Sequence, residues 1–256
     1  MDELSGVGRP SSRWGSHLIS RLLPPALRFW LQTQVESIGQ FDLHIGGSDQ
    51  QILSGYVPTV TVLARQARYQ GLCLSYAQLQ AENIRINLGQ VLRGKPLRLK
   101  QPFPVVGQIM IDEADFNASL TAPLLQQALQ DFVQQLGRTQ PASSALGIAL
   151  AQVLAADRLT AEGAIAPQQV SLSLRPTLAP DSIEIIIQTD LTIENGRQLV
   201  LRQPRWLVNG TAQGLTGLDQ FAIDLGPDVN LHTLRLDAGR LVLEGCINVV
   251  PVNPDG

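Results

Sequence analysis

Long hydrophobic runs are missing from this 256-residue chain. No apolar stretch approaches the roughly 18 residues of a membrane-spanning helix. The N-terminus also lacks the basic start, apolar core and small-residue cleavage site of a secretory signal. The expectation is a cytoplasmic protein that touches a membrane, if at all, from its periphery. Charge is sparse: 16% of residues are Asp, Glu, Lys or Arg, and the net charge is -3. The chain as a whole therefore has no electrostatic reason to bind nucleic acid. The two cysteines, Cys73 and Cys246, stand far apart, match no metal or redox spacing and read as buried, unpaired thiols. The histidines, His17, His44 and His232, are scattered without ligand spacing, so no metal or other cofactor is expected. A G-x-S-x-G elbow, a Walker loop and a Rossmann fingerprint are all absent, and no catalytic activity is expected. The densest carboxylate group, Asp112, Glu113 and Asp115, lies at a predicted helix start, where acids offset the helix dipole and cap free amides.

What the chain does contain is 44% hydrophobic residues, enough for a real core. Residues 71–88, GLCLSYAQLQAENIRINL, alternate apolar and polar over about twice the length of an ordinary strand. Leu72, Leu74 and Tyr76 share one parity, Ala77, Leu79 and Ala81 the other, and Ile84, Ile86 and Leu88 return to the first. Each slip would turn the later side chains to the wrong face unless a bulge absorbs it, so bulges are predicted near Tyr76 and Glu82. A ribbon of roughly 60 Å, at about 3.3 Å per residue, needs something long to cover its apolar face.

Further strands are predicted at 41–45, 57–69, 97–99 and 105–111, then at 172–174, 183–193, 199–201, 206–208, 229–236 and 241–249. Helices are predicted at 11–23, from Pro25 to about Ile38, over 113–120 with Asp112 as N-cap, and from Pro123 to a stop at Gly137. In the last of these Leu124, Leu125, Ala128, Leu129, Phe132, Val133 and Leu136 form one apolar face, a candidate for what the bent sheet encloses. Residues 145–157 read equally as helix or strand, and 214–225 as a short helix. The motifs LRLKQP at 97–102 and LVLRQP at 199–204 hint at two related halves, about 24–137 and 145–250. The domain reading is a tail and amphipathic segment at 1–23, one domain at 24–250 and a tail at 251–256.

Two basic segments stand out. Arg9, Arg13, Arg21 and Arg28 occur without an acid and interleave with an apolar stripe that begins at Trp14, which suits an anionic membrane surface or a helix with solvated arginines. RGKPLRLK at 93–100 carries Arg93, Lys95, Arg98 and Lys100, which suits lipid phosphates or a solvated turn. Few aromatics interleave it, so base stacking does not fit.

The stretches GGSDQQILSGYVPTVTVLARQARYQGLCLS, AENIRINLGQVLRGKPLRL and GQIMIDEADFNASLTAPLL resemble the cyanobacterial branch of the LmeA-like phospholipid-binding family, otherwise described as a domain of unknown function. The resemblance runs from about residue 24 to 250 and is strongest in the first 125 residues. It implies an α+β fold similar to the tubular lipid-binding (TULIP) superfamily: a long, strongly curved antiparallel sheet wrapped around one or two amphipathic helices, with an apolar groove for lipid tails. No catalytic motif is carried over.

The expected function is non-enzymatic binding or transfer of a phospholipid or other acyl-chain lipid, with peripheral membrane contact. Ile84 and Ile86 from the ribbon and Leu125, Leu129, Phe132 and Val133 from the helix are the candidate groove residues. Arg13, Trp14, Arg21, Arg28, Arg93, Lys95, Arg98 and Lys100 are the candidate membrane or headgroup contacts. The alternative is a scaffold or activator of a membrane-associated enzyme, with a filled groove and a protein partner that the sequence does not name.

Overall fold

The computed structural model describes residues 35–139, 141, 144–154, 159–176, 184–208, 211–214 and 221–251. Two antiparallel sheets carry the described part of the fold. The first consists of β1 (Ser37–Gly46), β2 (Tyr56–Tyr69), β3 (Leu72–Arg85), β4 (Phe103–Asp112), β11 (Val229–Asp237) and β12 (Arg240–Val249), in the order β1-β2-β3-β4-β12-β11. The second consists of β5 (Leu159–Ala166), β6 (Gln169–Pro176), β7 (Ile185–Glu194), β8 (Gln198–Val208) and β10 (Ala222–Asp224), in the order β10-β8-β7-β6-β5, with β9 (Thr211–Gly214) also paired to β8. The C-terminal hairpin thus returns to the first sheet, which is discontinuous in sequence, whereas the second is built from the consecutive strands β5 to β10.

The long ribbon is real: β2 and β3 each run for 14 residues and pair along their whole length. Their turn uses Gln70 and Gly71, both at positive φ, which matches the right-handed twist of the strands. Both phase slips are present. Leu74 packs with Ala77 and Leu79, and Ala81 with Ile84, so the apolar side stays continuous while the parity changes twice. The irregularities lie one residue from the predicted sites. Gln66 has φ 53° and faces Ser75 between the partners Arg65↔Tyr76 and Ala67↔Leu74, while Asn83 has φ 57° and faces Pro58 between Val57↔Ile84 and Thr59↔Glu82. In each case one residue at positive φ takes its pair out of the ladder while the register stays the same on either side, so neither predicted bulge forms. Tyr76 consequently turns to the polar face, where Arg65 stacks 5.4 Å from its ring centroid.

Among the described residues five helices accompany the sheets: α1 (Asp49–Leu53), α2 (Leu88–Val91), α3 (Glu113–Ser119), α4 (Pro123–Thr139) and α5 (Ala145–Leu154). α1 opens with a capping box, in which Ser48 and Gln51 satisfy each other's backbone amides. Pro123 starts α4 as expected, but the helix continues past Gly137. The ambiguous stretch from residue 145 is helical in α5, and the helix expected over 214–225 gives way, in its described residues, to β9 and β10. Residues 97–99 make only an isolated bridge, Ile86↔Leu99.

The amphipathic helix does not sit where the sequence places it. Leu129, Phe132, Val133 and Leu136 of α4 pack with Leu146, Ala149 and Leu150 of α5 onto Leu174, Ile185, Ile187, Leu201, Trp206 and Phe221 of the second sheet and its flank. Phe132 and Phe221 meet edge to face at 5.1 Å. The two helices therefore cover the second sheet, and among the described residues no helix lies along the middle of the first. Its ends are covered instead, by α1 and α2 at one end and by α3 with the β5–β6 hairpin at the other.

The second end is a polar joint. Asn117 of α3 donates through Nδ2 to Gly163 O at 2.8 Å and accepts from Gly163 N at 2.7 Å, and Glu113 Oε2 accepts from Ile165 N at 2.8 Å. Ser75 Oγ, at the ribbon's first irregularity, donates to Asp115 at 2.5 Å and accepts from Asp112 N. The predicted side-chain cap by Asp112 is absent because Asp112 binds Arg240 instead, at 2.8 Å. That hydrogen bond, reinforced by the carboxylate's charge, raises the Arg240 pKa. The acidic triplet is thus committed to structure. Replacing Asn117 with alanine leaves both backbone groups of Gly163 without their partner, so stability should fall by about 3 kcal/mol. In a chain of this size that is a Tm decrease of roughly 6–12 °C, readable by calorimetry.

Candidate functional site

Antiparallel partners point to the same face, so the register of the first sheet can be read across its strands. One transverse row is Ile45, Val60, Ala81, Val105, Ile247 and Val229. The next is Leu43, Val62, Leu79, Gly107, Gly245 and Leu231, and the third is Phe41, Ala64, Ala77, Ile109, Leu243 and Leu234. Every position in the three rows is apolar or glycine. The opposite face is mixed: His44, Thr61, Gln80 and Asn230 share a row with Val106 and Cys246, and Asp42, Gln78, Gln108 and Glu244 share one with Leu63 and Thr233, with Gln108 donating to Glu244 at 2.7 Å.

The apolar face is concave. A Cβ on Gly107 would stand 2.2 Å from Gln78 O and 2.9 Å from Leu79 Cα, and one on Gly245 would stand 2.5 Å from Asn230 O and 2.7 Å from Leu231 Cα. The neighbouring strands β3 and β11 fold over these two paired glycines, where a side chain would hold them apart. The sheet therefore curls like a half-barrel, with the three rows as its floor and walls.

A core face of this size is normally buried throughout. Here Ala64, Ala77, Val60 and Ala81 are buried, whereas Leu43, Val62, Leu79, Val105, Ile109, Leu231 and Leu243 are half-buried and Ile247 is 38% exposed. The result is an apolar trough along the middle of the first sheet. Toward the α1–α2 end its floor continues into the cluster of Ile52, Val57, Ile84, Ile86, Leu88, Leu97 and Phe103.

Beyond that cluster the chain makes a closed excursion between residues 87 and 98. Asn87, only 6% exposed, organises it: Nδ2 donates to Gln90 Oε1 and to Pro96 O, each at 3.0 Å, and Oδ1 accepts from Arg98 N at 2.7 Å. A cleft of about 270 Å³ opens here, lined by Asn87, Gly89, Gln90, Arg93 and Lys100. Alanine at position 87 would release Pro96 O and Arg98 N together, which should cost about 2 kcal/mol. Amide hydrogen exchange should then accelerate over residues 88–100 while the middle of the β2–β3 pair keeps its protection.

The structure does not bring the groove candidates expected from the sequence into one place. Ile84 and Ile86 are buried in the cluster at the end of the trough, while Leu129, Phe132 and Val133 are buried against the second sheet, and Leu125 is half-buried on the same helix. Arg93, Lys95 and Arg98 are exposed on the excursion, and Lys100 is exposed just beyond it. Arg13, Trp14, Arg21 and Arg28 lie outside the described residues. The three apolar rows were missed as a set because each strand shows only its own alternation, and the long-range register that joins β4 to β12 leaves no local mark. The cysteines are free, Cys73 buried and Cys246 only half-buried.

Among the described residues no helix is long and apolar enough to cross a membrane, and no group of three or more His, Cys, Asp and Glu side chains is placed to hold a metal ion. No curated protein and no solved structure matches the chain. A family model does match, over residues 15–246, a span that includes both the long ribbon and the basic excursion: the chain belongs to the LmeA-like phospholipid-binding family.

Proposed function

We propose that the trough of the first sheet receives the acyl chains of a phospholipid and that the protein binds or transfers this lipid without chemical change. The observation that carries the reading is the set of three apolar rows, concave and only half-buried, on a sheet whose other face mixes polar and apolar side chains. Ligand sites of this kind are mostly apolar with a few polar groups that fix orientation. The cleft lined by Arg93 and Lys100, beyond the end of the trough, supplies such groups for a headgroup phosphate. Each methylene buried would contribute about 0.8 kcal/mol, so an acyl chain needs no covalent attachment to stay bound.

In this reading Ile84 and Ile86 form the closed end of the trough. The α4 residues Leu125, Leu129, Phe132 and Val133 contribute by holding the second sheet together. The arrangement would be a tubular-lipid-binding one in its use of a curled sheet, with the protein cytoplasmic and visiting membranes. Titration with a phospholipid carrying a fluorescent acyl chain, below its aggregation threshold, tests it. Saturable uptake at one lipid per chain, competed by unlabelled phospholipid, is expected, and no uptake would reject the reading.

A further inference from the structure

Between residues 84 and 111 the chain has five cations, Arg85, Arg93, Lys95, Arg98 and Lys100, and no acid. The fold gathers them at one end of the first sheet: Arg85 and Lys100 are joined by the bond from Lys100 N to Arg85 O, and the excursion pinned by Asn87 carries the other three. All five are exposed, and none forms an ion pair with an acid among the described residues. The Arg85 guanidinium rests on the Tyr56 ring, 5.2 Å from its centroid, which leaves its charge uncompensated. Asp49 and Glu82 are the acids that flank this end in the sequence. Asp49 opens α1 at the opposite end from Leu53, and Glu82 accepts a hydrogen bond from Gln80.

Exposed apolar side chains occur among these cations. α1 and α2 lie side by side and bury Ile52 and Leu88 in the cluster below, yet each helix is followed or closed by a leucine turned outward. Leu53 and Leu92 are each 47% exposed, and Val250, next to the Val249 that packs on the same cluster, is 52% exposed. One exposed leucine needs no explanation. Apolar tips set among unpaired cations match an anionic lipid surface, where ammonium and guanidinium groups meet phosphates and short apolar side chains reach the acyl boundary.

We infer that the α1–α2 end docks on an anionic bilayer, with Leu53 and Leu92 entering the headgroup layer among Arg85, Lys95 and Arg98. The inference rests on the trough reading, because docking at this end sets the closed cluster and the Arg93–Lys100 cleft directly against the store of lipid.

The test is flotation of the full chain with vesicles of phosphatidylcholine alone or mixed with phosphatidylglycerol. The wild type should float with the anionic vesicles and lose binding as salt rises. Two double variants, Leu53→Asp with Leu92→Asp and Lys95→Glu with Arg98→Glu, should each bind anionic vesicles at least ~30-fold more weakly. Both should keep the wild-type Tm and the uptake of fluorescent phospholipid monomer, which separates docking from tail binding. Folded variants that float as the wild type does would overturn the inference, with docking then assigned elsewhere on the chain. Wild-type flotation without monomer uptake would fail the trough reading and leave the variants to decide the tip. Equal binding to both vesicle types would also overturn it, since charge would play no part.

Discussion

Gly107→Val should be the most damaging single substitution in the first sheet. The added Cβ meets backbone, Gln78 O at 2.2 Å and Leu79 Cα at 2.9 Å, and backbone cannot swing aside as the end of a side chain can. Relief requires β3 and β4 to separate, and that would flatten the sheet at the centre of its curl. Overpacking a well-packed site costs about 1–3 kcal/mol, and here the displaced group is a strand, so a loss of about 4 kcal/mol is expected. The corresponding fall in Tm is roughly 8–16 °C. Gly245→Val, at the paired position on β12, should behave similarly through Asn230 O and Leu231 Cα. Valine at Gly89, where an added Cβ meets nothing within 4 Å, lacks this clash and serves as the control. A Gly107→Val protein with unchanged Tm would mean that the sheet does not need its curl.

The second large effect is on lipid content. Ile247 stands in the first apolar row, opposite Val105 and Val229, and is 38% exposed, so a change there disturbs little packing. Ile247→Glu places a carboxylate on the wall of the trough, where a bound acyl chain would strip it of water without offering a partner. Partial exposure moderates the penalty, and about 2 kcal/mol is expected, a loss of roughly 30-fold in affinity for phospholipid. The neutral Ile247→Gln should fall between the two, which separates charge from shape. Uptake of fluorescent phospholipid monomer measures both, with calorimetry to show that the fold persists. Unchanged uptake by a folded Ile247→Glu protein would place the acyl chain somewhere other than this trough.

The ribbon was the most legible part of the fold. Its two phase slips, Leu74 to Ala77 and Ala81 to Ile84, are written in the residue pattern, because a buried face tolerates no polar intruder; the break in parity is taken up by Gln66 and Asn83 at positive φ rather than by bulges. The curl itself was legible only as an implication of length. The glycines that permit it, Gly107 and Gly245, lie 138 positions apart, and their pairing depends on β12 returning to β4. That return is a long-range event with no local signature. The repeated LRLKQP and LVLRQP motifs lie in different surroundings, one in the irregular stretch before β4 and one in β8.

The amphipathic helix illustrates the other limit. Periodicity identified the face carrying Leu129, Phe132 and Val133 but carries no information about which sheet will cover it. The second sheet offered Ile185, Ile187 and Trp206, and the helix packed there. The basic excursion was visible as charge, whereas the buried Asn87 that shapes it was not, since one asparagine in a loop resembles any other until its three hydrogen bonds are counted. Ser48 could have been found: Ser48 followed by Gln51 fits the capping-box pattern at the start of α1.

The central claim is that the half-barrel holds a lipid, and native mass spectrometry of gently purified protein tests it most directly, with lipid extraction from the same sample and a denatured control. The account predicts a chain carrying one phospholipid of restricted class, released on denaturation and depleted in Ile247→Glu. A chain that stays at its bare mass after incubation with lipid extracts would contradict it. That result would mean a trough closed by the protein's own side chains and a role as a scaffold or activator at the membrane.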